Sequence, residues 1–184
     1  SEMCIRDSPM TMLLLFVAEI GLVIGITSGI NKLSSPMATA LFYLFAVVNG
    51  VALFPIFLAY TSVSIYKTFF ITAAVFGAMT VYGFFTTKDL SRWGQFLFMA
   101  LLGLIIVSLV NIFLKSTTME WLISFAGVFI FIGLTAWDTQ RIKQMAMLAP
   151  VEAAGKIATI GALNLYLDFI NLFLYLLRFF GNRN

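Results

Sequence analysis

The chain has 184 residues, of which 61% are hydrophobic, 16% aromatic and only 10% charged, with a mean hydropathy of +1.02. Soluble domains carry roughly 25% charged residues to coat their cores, so this composition excludes a soluble globular domain, a disordered chain and, with 11 basic and 8 acidic residues scattered thinly, a nucleic-acid binder. One cysteine, Cys4, excludes internal disulfides, and the lack of histidine removes the usual zinc ligand, general base and pH switch. An integral membrane protein is what remains.

A bilayer core about 30 Å thick needs roughly 20 apolar residues in a helix. Residues 1–8 (Ser-Glu-Met-Cys-Ile-Arg-Asp-Ser) are neither signal peptide nor span, and read as a non-native leader resembling translated adapter sequence. The rest, 9–184, reads as a single transmembrane helical bundle in the all-α class. The predicted spans run from Met10 to Ile30, from Met37 to Tyr60 with an interruption at Pro55, and from Ser64 to Phe85. Three more run from Trp93 to Leu114, from Trp121 to Asp138 or beyond, and from Ile157 to Phe180. The connections are short, which keeps consecutive helices together. Lys32, Lys88, Arg92, Arg141, Lys143 and Lys156 fall on one side, and Arg6, Lys67, Lys115, Arg178 and Arg183 on the other. The positive-inside rule points weakly to a cytoplasmic Lys88/Arg92 side.

Information sits where a costly residue is tolerated. A carboxylate at the centre of a membrane helix costs about 2.5–3.5 kcal/mol on insertion scales, yet Glu19, Asp138 and Asp168 lie in or near apolar runs. Gly161, Asn164, Asp168, Asn171, Tyr175 and Arg178 are spaced three or four apart and share one helical face. Such a polar seam should face protein or a water-filled cavity. Asn164 and Asn171 alone would be inter-helix glue; an aspartate between them favours function.

Asp138 could simply pair with Arg141 one turn on, where the helix leaves the membrane. Spacing argues for more. Asp138 and Asp168 are equidistant from residue 153, beside the turn-like Pro150-Val151-Glu152-Ala153-Ala154-Gly155. Two antiparallel helices meeting there place both aspartates about 22 Å from the turn and level with each other. Two touching carboxyls in a poorly solvated site hold one proton between them and titrate as a unit. In a chain without histidine, that pair is the natural pH sensor. Glu19, with Gly21 and Gly25 beside it allowing close helix approach, is either a cation-path residue or a structural hydrogen-bonding partner. Gly77, Gly83, Gly127 and Gly133 read as helix-packing positions.

The runs Gly133-Leu134-Thr135-Ala136-Trp137-Asp138-Thr139-Gln140-Arg141-Ile142-Lys143 and Ala162-Leu163-Asn164-Leu165-Tyr166-Leu167-Asp168-Phe169-Ile170-Asn171-Leu172-Phe173 resemble the Bax inhibitor-1/YccA family. So do Ala18-Glu19-Ile20-Gly21-Leu22 and Tyr82-Gly83-Phe84-Phe85-Thr86-Thr87-Lys88-Asp89-Leu90-Ser91. The resemblance covers residues 10–181 and is that of a bacterial member of the inner membrane. It implies a seven-helix bundle with the last helix central, of which six helices are present and the first is absent. It implies that Asp138 and Asp168 are the pH-sensing pair and that Glu19 is the acidic residue of the family's second helix. It also implies a pH-sensitive calcium leak, in which Asp138, Asp168 and Glu19 hold calcium transiently; the shared helical face makes Asn164 and Asn171, with Arg141 one turn from Asp138, the expected ion pathway or polar seam. No cofactor is expected beyond calcium as the permeant ion.

Two other readings compete. A non-conducting membrane regulator would bind a membrane protease or another membrane partner through the same bundle. An intramembrane aspartyl protease also pairs two aspartates, but it carries Gly-x-Gly-Asp and Pro-Ala-Leu motifs. Here Leu165-Tyr166-Leu167 precedes Asp168 and no Pro-Ala-Leu occurs, so the chain reads as a non-enzyme.

Overall fold

The structure, a computed structural model, describes residues 21–184. Residues 21–29 are helical (α1), followed by α2 (Ser35–Ala59), α3 (Ser62–Phe85), α4 (Ser91–Leu114) and α5 (Thr117–Leu148). A short 3₁₀ turn, Val151–Ala153, leads into α6 (Ala154–Phe180). Among the described residues, α2 to α6 are each long and apolar enough to cross a bilayer. The predicted first span lies largely outside the described residues.

Hydroxyl caps start three of these helices. Ser34, Thr61 and Ser116 accept from the backbone N–H of Met37, Ser64 and Met119, each satisfying a donor that the first turn leaves free. Pro36 follows in the first turn of α2, where its missing N–H is harmless. Contrary to the expected interruption, Pro55 stays within α2, which runs on to Ala59. A proline one turn from a helix end removes a single backbone bond without ending the helix.

The connections alternate between two ends. At one end Lys143 donates to the Phe84 carbonyl and Lys156 to that of Asn31, so the Lys32, Lys88 and Lys143 segments share a side. At the other, Asn184 N–H donates to the Ala59 carbonyl and Arg183 pairs with Glu120.

Helices α5 and α6 form the centre: 44% and 39% of their apolar windows are buried, against 6% to 17% for α2, α3 and α4. α6 packs against α2, α3 and α5, while α4 packs on α5. Phe131, Leu134, Leu172 and Leu176 build the core between α5 and α6, and Ile26, Phe45 and Leu163 join α1, α2 and α6. The outer helices turn large apolar side chains such as Phe70 and Phe113 outward, as a lipid-facing surface requires. Gly83, Gly127 and Gly133 each lie where a β-carbon would strike a neighbouring helix. Gly77 corrects the expectation: nothing lies within 4 Å of a β-carbon there, so it is not a packing position. The same holds for Gly21 and Gly25 among the described residues.

Candidate functional site: an aspartate pair between two central helices

The apolar run of α5 ends near Asp138, but the helix continues ten residues to Leu148. At 32 residues it is about 48 Å long, well beyond a hydrocarbon core about 30 Å thick. The turns just after Asp138 carry the polar residues Thr139, Gln140, Arg141, Lys143 and Gln144, which a stretch beyond such a core tolerates. The 3₁₀ turn then reverses the chain, and α6 returns antiparallel along α5 from Ala154, a turn earlier than its apolar run suggests.

This geometry brings Asp138 and Asp168 together. Both are buried, at 7% and 5% exposure, and the carboxyls are near enough to share a hydrogen bond. Oδ2 of Asp168 is enclosed and has no hydrogen-bond partner among the described residues. Arg141, one turn on, reaches Asp138 Oδ1 with Nη2 at 3.4 Å and lies 4.8 Å from the centre of the Trp137 ring. The interfacial pairing of Asp138 with Arg141 and the pairing of Asp138 with Asp168 therefore coexist.

A cavity of about 740 Å³ between α4, α5 and α6 takes in both aspartates, Arg141, Asn164, Asn171 and Tyr175. Asn171 donates through Nδ2 to its own helix at the Leu167 carbonyl, 2.8 Å away. Gly161, at the head of the seam, is occupied differently: it lets Ile142 of α5 pack against α6. Glu19 lies outside the described residues. Among the described residues no group of three or more acidic, cysteine or histidine side chains assembles.

The sequence reading missed Gln140. Its side chain is buried and spans the Thr86–Leu90 connection, accepting from Leu90 N–H at 2.9 Å and donating to the Lys88 carbonyl at 2.7 Å. The available signal was a glutamine two residues past Asp138, where the predicted span leaves the membrane. It locks the Lys88 connection about 3 Å of helix rise from the aspartate. Thr135 was also passed over; it is fully buried one turn before Asp138, its hydroxyl bonded to the Phe131 carbonyl.

The family profile described as "Inhibitor of apoptosis-promoting Bax1" matches residues 2–184. The chain belongs to the Bax inhibitor-1 family. It is 48% identical over 172 residues to the inner membrane protein YbhL of Escherichia coli K12, covering 92% of this chain and 74% of that protein. It is 48% identical over 181 residues to a protein of Borreliella burgdorferi, covering 97% and 78%. An uncharacterized membrane protein of Streptococcus pyogenes serotype M3 is 39% identical over 159 residues, covering 86% and 69%. With these relatives and its apolar helices, this Bax inhibitor-1 family member is a multi-pass protein of a bacterial inner membrane.

Proposed function

We propose that this chain forms a pH-sensitive calcium leak gated by the Asp138–Asp168 pair. The observation that carries the reading is the placement of two buried carboxyls, with Asn164 and Asn171 beside them, on one cavity between the central helices. Calcium binds oxygen ligands, six to eight of them, in flexible geometry. Two carboxylates and two amide oxygens are too few for a resident cage and suit an ion in transit. On this reading calcium is cargo rather than a resident cofactor.

The gate works by charge. With one proton between them, the aspartates attract through a hydrogen bond; without it they repel. At an effective dielectric of about 20, unit charges 4 Å apart interact by about 4 kcal/mol. That approaches the roughly 5.5 kcal/mol that swings a two-state equilibrium from 1:99 to 99:1. Arg141 moderates the repulsion, and so does a calcium ion, so protons and calcium compete for the pair. The neighbouring helices that respond are α5 and α6, held together near this level by Gly161 against Ile142.

The test is calcium entry into indicator-loaded liposomes containing the purified protein, measured between about pH 5.5 and 8. A protein-dependent flux that varies with pH is expected. Vesicles no leakier than protein-free ones at every pH would overturn the reading and leave a non-conducting regulator of a membrane protease or other membrane partner.

A further inference from the structure

A second cavity, of about 460 Å³, lies between the ends of α2 and α6 at the end of the bundle remote from the Lys88 connection. That size falls within the range of roughly 300–1,000 Å³ typical of ligand pockets. Its walls divide by chemistry. Pro55, Ile56, Leu174 and Leu177 form an apolar side, while Arg178 and Arg183 stand at the polar side. Asn171 and Tyr175 line this cavity and the aspartate cavity alike.

The two guanidiniums differ in how they are held. Arg183 is fixed from two directions: Nε donates to the Tyr60 hydroxyl at 3.4 Å and Nη2 to Glu120 at 3.2 Å. These bonds use two of the five N–H donors a guanidinium carries. Arg178 is exposed in the last turn of α6. Arg183 is paired with Glu120, whereas the exposed Arg178 adds, among the described residues, an uncompensated positive charge at the wall of the cavity. Its depth is that of a headgroup layer, because Tyr60 closes α2 and Trp121 opens α5 at this end, and such aromatics mark the membrane–water boundary.

We propose that this cavity holds one anionic phospholipid, its phosphate between Arg178 and Arg183 and the start of its acyl chain along Ile56 and Leu174. Guanidinium forks match phosphate oxygens in geometry and charge. The apolar wall favours a lipid over a soluble anion, because a free phosphate would leave that wall bare to water. Lipid retention at this site can be read without measuring any ion flux.

Native mass spectrometry of the purified protein, offered phosphatidylglycerol and phosphatidylcholine of equal chain length, tests it. One phosphatidylglycerol is retained per chain in preference to phosphatidylcholine. R178Q lowers that preference about tenfold, the size of one charge-assisted hydrogen bond. R178Q/R183Q abolishes it. Because Arg183 also ties the C-terminus to Tyr60 and Glu120, R178Q alone decides if the double variant fails to fold. Equal retention of the two lipids by the unaltered protein, or an unchanged preference in R178Q, overturns the proposal. So does displacement of the lipid by an equal concentration of glycerol phosphate, which would identify a site for soluble anions.

Discussion

Gly83 of α3 lies against the backbone of Ala136 in α5, so close that a β-carbon at position 83 would sit 3.0 Å from the Ala136 carbonyl carbon. The obstacle is backbone, which cannot swing aside as a side chain can. Ala136 is two residues from Asp138, so this contact sets where α3 stands relative to the aspartate pair. G83A should therefore destabilise the protein by about 1–3 kcal/mol, the usual range for overpacking. G77A, with open space around it, should be neutral or gain up to about 1 kcal/mol from helix propensity. Thermal unfolding of the two variants in one detergent checks the contrast; equal effects would remove the contact from the account.

Gln140 offers a second test. Q140L keeps the bulk but leaves Leu90 N–H and the Lys88 carbonyl without the partners they now have. Unsatisfied buried polar groups cost about 1–3 kcal/mol each, and the cost falls on the Thr86–Leu90 connection. Faster proteolysis at that connection is expected, while the far-end Tyr60–Arg183 contacts stay protected.

Lys115 ends α4 with φ 49°, the left-handed conformation that a side chain resists. K115G should stabilise the protein by roughly 1 kcal/mol, since glycine adopts this geometry freely. A lowered unfolding temperature would show that the lysine side chain contributes more than its backbone strain costs.

How much of this was legible in the sequence depended on which signal each residue carried. The level placement of Asp138 and Asp168 followed from one turn and one rise per residue, because a short reversal leaves antiparallel helices no freedom to slip. The full length of α5 was not legible, because hydropathy stops at Asp138 while the backbone continues through Gln140, Arg141 and Lys143. Pro55 suggested a break that a position near the helix end does not impose. Gly77 and Gly83 look alike in sequence; only their neighbours distinguish them. Gln140 gave no signal because its partners are backbone groups some 50 residues away, and backbone groups leave no pattern in a sequence.

Arg141 bears directly on the pH response. Its cation stands beside Asp138 and favours the deprotonated pair. R141Q should move the midpoint of the flux–pH profile to higher pH. The Arg141 side chain is 40% exposed, so its contribution is screened to about 0.2–1 kcal/mol, a displacement of up to roughly 0.7 pH unit. A midpoint moving to lower pH would contradict the charge argument.

The central claim is that the Asp138–Asp168 pair, as one titrating unit, sets the pH response of a calcium leak. Asp168→Asn retains the shape and a hydrogen bond to Asp138 while deleting the shared proton. Calcium flux through liposomes carrying this variant, compared with the unaltered protein between about pH 5.5 and 8, tests the claim most directly. The account predicts a folded variant whose flux is flat with pH, and the same for Asp138→Asn. A folded Asp168→Asn protein with an unchanged pH profile would contradict it.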